Sequence, residues 1–361
     1  MIIKSIELAD YRNYEGLRLQ FGSGVNIFYG DNAQGKTNIL EAVFVSATTK
    51  SHRGSRDREL IRFDREEAHI RTMIEKNGLE HKIDMHLRKF STKGIAVDGQ
   101  KIRKASELIG LLKVVFFSPE DLSIIKDGPS ARRRFIDIEL CQLDQSYLYH
   151  LNQYNKVLMN RNKLLKDLYY DNSLYDSLDV WDEQLVRYGR RVIERRERFI
   201  LELNGIINRI HRNLSGGKEN LYLGYEPDVR ADFFEKKLKE GRERDLKLKQ
   251  TCTGPHKDDC IFSIDGCDIR RYGSQGQQRT AALALKLSEI ELVKRVSHDT
   301  PVLLLDDVLS ELDSSRQNYL LESIGEIQTI ITCTGLEEFI NRRFEVNKVF
   351  KVVNGTVSVE N

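Results

Sequence analysis

The sequence has few cysteines, and their spacing fits neither a disulfide framework nor a zinc finger. Five cysteines occur in 361 residues, and no two of them form a C-x-x-C pair. So few thiols in a long chain indicate reduced residues, and we expect a cytoplasmic protein. A zinc site built from Cys252, Cys260 and Cys267 stays open as an alternative.

The sequence also lacks long apolar runs and a strong charge of one sign. No stretch approaches the roughly 20 apolar residues that a membrane-spanning helix needs, so we expect no membrane partner. Residues 1–7 read as a strand and not as a signal peptide. The net charge of +2 neither favours nor excludes nucleic acid, because the local clustering of charge decides that question.

What the sequence does contain is a complete phosphate-binding loop. Residues 30–37, GDNAQGKT, match G-x-x-x-x-G-K-[ST] and stand between a predicted strand at 25–29 and a predicted helix. Backbone N–H groups of such a loop close around phosphate oxygens, aided by the helix N-terminus. We therefore predict that ATP contacts Gly30, Asp31, Asn32, Ala33, Gln34, Gly35, Lys36, Thr37 and Asn38. Lys36 is expected to reach the β/γ-phosphates, and Thr37 to ligate Mg²⁺.

An acidic pair follows an apolar strand far downstream. Residues 302–305, VLLL, read as a buried parallel strand that ends in Asp306 and Asp307. Ligands of open α/β sheets bind at the carboxyl ends of the strands. We predict that Asp306 holds Mg²⁺ and that Asp307 deprotonates the attacking water. The alternative is a strand that ends in a capping aspartate.

A third motif lies between these two. Ser274, Gln275, Gly276 and Gln277 precede a stretch with helical periodicity, residues 279–287, so the motif is predicted at a helix N-terminus. It is similar to the S-G-G-Q signature of ABC-type ATPases, with Gln275 in place of the first glycine. A simple helix cap is the alternative. In ABC ATPases this segment caps the γ-phosphate that the other subunit holds.

With these motifs in this order, the chain resembles the RecF family of bacterial DNA repair ATPases, in the ABC/SMC class. The resemblance runs nearly end to end and is carried by the three motifs and by residues 8–14, 51–53, 117–122, 128–129, 132–135, 254–259 and 304–313. It implies an ATP-dependent homodimer that binds double-stranded DNA at junctions with single-stranded gaps. It also implies work with RecR and RecO to load RecA in recombinational repair and replication restart.

The resemblance extends to individual residues. It places Arg12 and Asn13 beside the bound nucleotide. Most ABC ATPases have glutamate where Asp307 stands, so slow hydrolysis is implied, as a weak DNA-stimulated ATPase. The usual metal-contacting glutamine is missing at residues 118–120, and a hydroxyl at 332–334 would have to replace the usual γ-phosphate-sensing histidine.

Basic residues cluster in the middle of the chain. The candidate DNA contacts there are Arg132, Arg133, Arg134, Arg190 and Arg191. Arg53, on the loop after the predicted phosphate-loop helix, is a further candidate that could contact either phosphate or DNA. As a set they could neutralise several phosphates. The alternative is a solvated helical face whose charges pair with neighbouring acids.

The predicted architecture is an α/β, ABC-type ATPase head with a mixed sheet and an antiparallel layer, interrupted by a helical lobe. Hairpin turns are predicted at Asn77-Gly78, Asp98-Gly99 and Asp265-Gly266. Apolar seams at 151–168 and 185–210 predict a short antiparallel helical arm, at most roughly 50 Å long. We predict ATPase parts at 1–117 and 251–361, and the helical lobe at 118–250.

Two rival functions are considered. An ABC transporter ATPase subunit predicts a glutamine near residue 118, a glutamate base and a switch histidine, none of which is found. A metabolic P-loop kinase would lack the signature at 274–277 and the distal S-E-L-D at 310–313. DNA-stimulated ATPase activity that depends on protein concentration would distinguish the RecF-like function from both rivals.

Overall fold

The computed structural model describes residues 1–169, 172–336 and 346–360. The chain forms two compact units. The first comprises Met1–Asp121 and Glu289–Asn361, and the second comprises Leu122–Ser288. In the described residues, no helix has the length and apolar character needed to cross a membrane.

The described strands and helices occur in groups along the chain, with four consecutive helices, α3 to α6, in its middle. The strands are β1 Ile2–Tyr11, β2 Tyr14–Gln20, β3 Val25–Tyr29, β4 Glu67–Lys76, β5 Leu79–Arg88, β6 Gly94–Val97, β7 Gln100–Lys101, β8 Val114–Phe117, β9 Leu221–Glu226, β10 Asp259–Ile264, β11 Cys267–Asp268, β12 Val302–Asp306, β13 Thr329–Cys333, β14 Val346–Val353 and β15 Thr356–Glu360. The helices are α1 Lys36–Thr48, α2 Asp57–Leu60, α3 Leu122–Lys126, α4 Pro129–Leu143, α5 Gln145–Asp167, α6 Ser177–Leu214, α7 Phe234–Glu240, α8 Arg242–Leu248, α9 Ile269–Tyr272, α10 Gln275–Ser297 and α11 Ser314–Ile324.

One sheet of the first unit is antiparallel, in the order β2-β1-β4-β5-β6-β7. Its predicted two-residue turns are confirmed. Asn77 and Gly78 have φ values of 52° and 76°, and Asp98 and Gly99 have 53° and 81°. Two consecutive positive φ values match the twist of the flanking strands, which is why Asn-Gly and Asp-Gly favour this turn.

The other sheet of the first unit, in the order β15-β14-β3-β13-β12-β8, is parallel except for β15. The strands β8, β12 and β13 are buried at every residue, as expected of a parallel sheet covered on both faces. Parallel strands end at one edge of a sheet. This edge therefore collects the segments that follow β3, β8, β12 and β13.

The second unit contains the helical arm. α5 packs against α6, as the apolar seams predicted. α6 has 38 residues, which gives a length of about 57 Å, longer than predicted, because the helix begins well before its apolar seam. The predicted turn Asp265-Gly266 joins β10 to β11 with φ values of 49° and 86°.

The end of this unit differs from the prediction of 118–250. It extends to Ser288. β9 pairs with β10 from Leu221↔Ile264 to Glu226↔Asp259, β11 pairs with β10 in turn, and α9 contacts both β10 and α3. These contacts join a segment predicted in the ATPase part to the helical lobe. Consequently the motif at 274–277 lies in the second unit. The helix α10 starts in the residue range of the second unit and ends in that of the first unit.

The cysteines remain separate thiols. All five are free, and Cys260 is buried in β10 whereas Cys267 is exposed in β11. Among the described residues, Cys252, Cys260 and Cys267 do not form a group with ligand atoms close enough for one metal ion. The alternative of a zinc site built from them is therefore wrong.

Candidate nucleotide site

The phosphate-binding loop joins β3 to α1 in a conformation that favours glycine at two positions. Gly30 and Gly35 have φ values of 148° and 112°. A Cβ atom at Gly30 would lie 2.3 Å from the Val352 carbonyl oxygen, and one at Gly35 would lie 2.4 Å from Nδ2 of Asn13. Both positions therefore require glycine for conformation and for space.

The side chain of Asn13 holds this loop from outside. Its Nδ2 donates to the Gln34 carbonyl oxygen at 3.0 Å, and its Oδ1 accepts from Nδ2 of Asn38 at 2.8 Å. The Tyr14 hydroxyl donates to the Gly35 carbonyl oxygen at 3.0 Å. The turn between β1 and β2 thus fixes the loop and the first turn of α1.

Lys36 begins α1 and folds back over the loop. Its Nζ donates to the carbonyl oxygens of Gly30 at 2.5 Å and Asp31 at 2.7 Å. Burial lowers the pKa of the Lys36 ammonium, and the nearby charge of Asp307 opposes that shift. The ammonium is held at the mouth of the loop, where a phosphate group would meet it.

Oxygen ligands converge at the sheet edge beside the loop. Oδ1 of Asp306, at the end of β12, accepts hydrogen bonds from Oγ1 of Thr37 at 2.8 Å and from Oγ1 of Thr332 at 2.7 Å. Hydroxyl and carboxylate oxygens are the hard ligands that Mg²⁺ prefers. Thr37 and Asp306 therefore fit the predicted metal site by the chemistry of their donor atoms.

Asp307 has different surroundings from its neighbour Asp306. Its backbone takes the left-handed conformation, with a φ of 53°, and its N–H donates to Oγ1 of Thr332 at 3.0 Å. Burial raises the pKa of the Asp307 carboxyl, Asp306 adds to that shift, and Ser310 and Lys36 oppose it. A carboxylate with a raised pKa is a stronger base than an ordinary aspartate.

These residues surround one cavity of about 360 Å³. Its lining includes the loop residues 32–38, the acidic pair and Thr332. It also includes Arg53 and residues 118–120, which follow β8. The sequence left residues 118–120 without a role, but the carboxyl end of β8 brings them to the same edge.

Arg12 does not line this cavity. Its guanidinium instead donates to the buried Glu41 carboxylate of α1, at 2.7 Å from Nε and 2.8 Å from NH2. Ser51 donates to the same carboxylate at 2.5 Å, and its Oγ accepts from the N–H of Arg53 at 3.1 Å. Burial alone would raise the pKa of Glu41, but the bonds from Arg12 and Ser51 lower it. Arg12 therefore supports the loop that carries Arg53.

The motif at 274–277 forms a reciprocal cap at the start of α10. The Ser274 Oγ accepts from the Gln277 N–H at 3.2 Å, and the Gln277 Oε1 accepts from the Ser274 N–H at 2.9 Å. This is the capping box of the pattern S-x-x-Q. Ser274, Gln275 and Gly276 are exposed, so the N-terminus of this helix faces solvent. The motif can therefore cap its own helix and still leave that helix N-terminus accessible to a γ-phosphate, so the two alternatives do not exclude each other.

Comparison with known proteins identifies the family. The model of the RecF/RecN/SMC N-terminal domain family matches residues 2–358. The DNA replication and repair protein RecF of Agathobacter rectalis is 64% identical over 359 residues, covering 99% of each protein. The protein of that name from Clostridium perfringens strain 13 is 45% identical over 362 residues, again 99% of each.

The chain belongs to the RecF family.

Solved structures agree with this assignment and with the predicted fold class. A structure of the recombination mediator protein RecF with ATP in the RecFOR pathway matches this RecF-family chain with a TM-score of 0.93 and 37% identity. The match covers 99% of this chain and 97% of that one. An Smc head bound to the C-winged helix domain of ScpA matches with a TM-score of 0.58 at 16% identity, which shows the shared fold alone. The prediction of an ABC/SMC-type head with a helical lobe is confirmed.

The arginines predicted to bind DNA in this RecF-family chain fall into different environments. Arg132 is only 2% exposed, and its guanidinium contacts both oxygens of Asp259 at 2.6 and 3.0 Å. A buried cation with that partner cannot reach a DNA phosphate, so the prediction for Arg132 is wrong. Arg133 donates to the Asp258 carbonyl oxygen at 2.6 Å.

The remaining candidates lie nearer the surface. Arg134 is exposed, and Arg191 is exposed beside Glu194, 3.2 Å away. Arg190 lies 3.5 Å from Glu235. Arg53 belongs to the lining of the nucleotide cavity, a position that favours phosphate contact there over DNA contact.

A buried polar network was missed by sequence reasoning. Arg196, also 2% exposed, donates to the Asp258 carboxylate at 3.0 Å and to the Pro255 carbonyl oxygen at 2.6 Å. Asp258 also accepts from the Tyr225 hydroxyl and the Asp228 N–H. The only sequence signal was the position of Arg196 on an apolar seam, between Val192 and Phe199. Asp258 of the RecF-like motif thus serves the internal packing of the second unit.

Proposed function

We propose that this RecF-family chain is an ATP-gated DNA-binding protein of recombinational repair. The observation that carries the proposal is the meeting of Lys36, Thr37, Asp306, Asp307 and Thr332 around one cavity, in a chain 64% identical to a DNA replication and repair protein. A structural relative that is described with ATP supports ATP as the ligand.

In the proposed reaction, each group acts through its position. Lys36 neutralises charge on the β/γ-phosphates, and Thr37 and Asp306 hold Mg²⁺. Mg²⁺, when bound, neutralises charge that develops on the phosphate oxygens. Asp307 orients the attacking water and accepts its proton, and Thr332 orients both aspartates through its hydrogen bonds. Because Asp307 is shorter than the usual glutamate, we infer that hydrolysis is slow and acts as a timing step stimulated by DNA.

The signature at 274–277 completes the site from a second copy of the chain. The exposed, capped N-terminus of α10 presents N–H groups and a helix dipole that suit a γ-phosphate. We infer that ATP joins two chains, that the dimer binds duplex DNA at junctions with single-stranded gaps, and that hydrolysis releases it. RecR with RecO, and indirectly RecA, are the partners that the family implies.

Sedimentation velocity with and without ATP and duplex DNA tests ligand and dimer together. We expect a monomer without ATP and a dimer with ATP and Mg²⁺ that co-sediments with DNA. Lys36→Met removes the phosphate contact and should abolish both effects. A dimer that forms equally well in the Lys36→Met protein would contradict ATP gating.

Mixing two inactive variants tests the shared site. Ser274→Arg should leave ATP binding intact but abolish ATP-dependent dimerisation and ATPase activity. A mixture of Ser274→Arg with Lys36→Met chains pairs one intact loop with one intact signature, so partial ATPase recovery is expected. Concentration-independent activity in pure Ser274→Arg protein would show that one chain completes its own site.

A further inference from the structure

A cluster of nitrogen and oxygen ligands lies on the outer face of the antiparallel sheet, outside the nucleotide site. Glu67 and His69 on β4 point to the same exposed side of the strand, because residues two apart share a face. His86 on β5 is paired directly opposite His69 in the register of the two strands. The two imidazole rings are stacked, with centroids 4.1 Å apart and planes 23° apart.

The potential ligand atoms of these three residues converge. One atom each from Glu67, His69 and His86 lies within 4.8 Å of the other two. Nε2 of His86 and Oε2 of Glu67 are 2.7 Å apart. In a four-coordinate zinc site with bonds of about 2.0–2.2 Å, ligand atoms lie about 3.3 Å from one another. The present separations therefore lie within about 1.5 Å of those in such a site.

We propose that Glu67, His69 and His86 form a site for a divalent transition metal, with Zn²⁺ as the representative ion. Two imidazoles favour zinc and related ions over Mg²⁺ and Ca²⁺, which prefer oxygen ligands throughout. Two histidines and one carboxylate leave a fourth position for water. His69 and His86 also help to line an open cavity of about 910 Å³ across the sheet, so water can reach the two imidazoles.

A neighbouring arginine competes with the metal. NH2 of Arg88 lies 3.2 Å from Nδ1 of His86, and its Nε lies 3.7 Å from Oε1 of Glu67. The guanidinium therefore partly neutralises the carboxylate that the metal would use. Metal binding has to displace Arg88, whose side chain is 44% exposed and has room to move. Arg88 thereby sets the affinity of the site without being a ligand.

Zn²⁺ titration of the full-length, EDTA-treated protein, with excess Mg²⁺ to fill oxygen sites, tests the proposal. A chromophoric chelator that competes for Zn²⁺ reports the affinity. We expect one Zn²⁺ per chain that is lost in Glu67→Gln, His69→Gln and His86→Gln. Each change should weaken binding at least tenfold, since even outer-shell partners of a metal are typically worth about 10–100-fold.

Two further variants make the test specific. His81→Gln is the matched control, since His81 lies on the same strand and pairs only with Asp98, 2.9 Å away, among the described residues. It should bind Zn²⁺ like the wild type. Arg88→Gln should tighten binding by roughly three- to tenfold, because it removes a positive charge beside a divalent ion.

The proposal is overturned if wild-type protein takes up no more Zn²⁺ than the His69→Gln/His86→Gln double variant. Thermal unfolding separates a lost site from a lost fold. Zn²⁺ should raise the melting temperature of the wild type and of His81→Gln, and leave that of Glu67→Gln unchanged. Equal stabilisation of all of these proteins would place the bound zinc outside Glu67, His69 and His86 and would overturn the proposal.

Discussion

At the scale of single residues, burial and partners decide what a charged group does. Asp306 and Asp307 are neighbours in sequence, but Asp306 accepts two hydroxyl hydrogen bonds whereas Asp307 occupies a left-handed backbone position. The raised pKa of Asp307 results from burial first and from the charge of Asp306 as well. One aspartate is therefore suited to hold a metal, and the other to accept a proton.

We expect Asp307→Asn to bind ATP and accumulate as a dimer but to turn over about 10²–10⁴-fold more slowly, because general-base assistance is lost. In the wild type, Asp307 must be ionised to act. Its pKa is raised, so protonation removes the base earlier on acidification. As the pH is lowered, the hydrolysis rate should therefore begin to fall at a higher pH than it would with an ordinary aspartate as base. Single-turnover hydrolysis measured across a pH series checks both statements.

A stability measurement provides the control for that variant. At pH values between the unfolded and the folded pKa of Asp307, the native state holds the proton and the unfolded state does not. The contribution of Asp307 to the free energy of unfolding therefore declines as pH rises through its folded pKa. Asp307→Asn should therefore be more stable than the wild type at neutral pH. Asp313, whose pKa is lowered by the Arg316 N–H, should show the opposite sign on change to Ala. Near-normal turnover of Asp307→Asn would place the base elsewhere.

Arg132 shows how a buried ion pair differs from a charged surface. Arg132→Ala leaves Asp259 without its bidentate partner, so we expect a loss of about 3 kcal/mol in the free energy of unfolding, near the lower end for buried pairs. Arg191→Ala, which breaks an exposed pair with Glu194, should cost at most about 0.5 kcal/mol. Urea denaturation of the wild type, Arg132→Ala and Arg191→Ala gives the three free energies of unfolding to compare. Equal stability of the two variants would show that the Arg132 pair contributes nothing.

At the scale of elements, packing can override helix propensity. Gly189 and Gly205 both lie in α6, but a Cβ at Gly189 would lie 2.4 Å from Cε1 of Phe234 and 3.0 Å from Cε2 of Tyr154. At Gly205 no heavy atom lies within 4 Å of such a Cβ. One helix therefore contains both a required glycine and a replaceable one.

Gly189→Ala should lower the free energy of unfolding by about 1–3 kcal/mol, because overpacking outweighs the gain in helix propensity. Gly205→Ala should raise it by up to about 1 kcal/mol, since alanine is the better helix former. Chemical denaturation of both variants gives the two values. A stabilising Gly189→Ala would mean that Phe234 moves aside at little cost.

The elements that sequence could predict are those fixed by local rules. The turns Asn77-Gly78 and Asp98-Gly99, the strand before the phosphate-binding loop and the acidic strand follow from residues within a few positions of each other. The end of the helical lobe was misplaced because it depends on the pairing of β9 with β10 across the intervening α7 and α8. Nothing near Leu221 reveals that partner.

The same limit applied to the site. The convergence of Lys36, Thr37 and Asp306 could be predicted, although Asp306 lies 269 residues from Thr37, because each motif follows a predicted buried strand and ligands bind at the carboxyl ends of such strands. The burial of Arg132 could not, since its partner Asp259 lies 127 residues away. The role of Arg12 as a support for Ser51, through Glu41, depends likewise on contacts between separate segments.

At the scale of the whole molecule, the parallel sheet is assembled from distant parts of the chain. Val25 at the start of β3 pairs with Thr329 on one side and with Val346 on the other. The strand that carries the phosphate-binding loop therefore has no sheet partners until the last strands are present.

A chain that stops at residue 325 loses β13, β14 and β15, and leaves both edges of β3 unpaired. We expect this truncated protein to aggregate, because unpaired apolar strands are templates for association. A chain that stops at residue 354 loses only the edge strand β15 and should remain folded. Solubility and circular dichroism after expression compare the two, and a soluble, folded protein ending at residue 325 would contradict this account.

The order of the sheet has a consequence for synthesis of the protein on the ribosome. About 300 residues separate β3 from β13, so at roughly 5–20 residues per second the nascent β3 waits about 15–60 s for its neighbours. The antiparallel sheet needs no residue beyond Lys101 and can form during that interval. During translation the nucleotide-binding strand therefore waits longest for its sheet partners, and we expect that chaperones which hold nascent chains would protect this strand most.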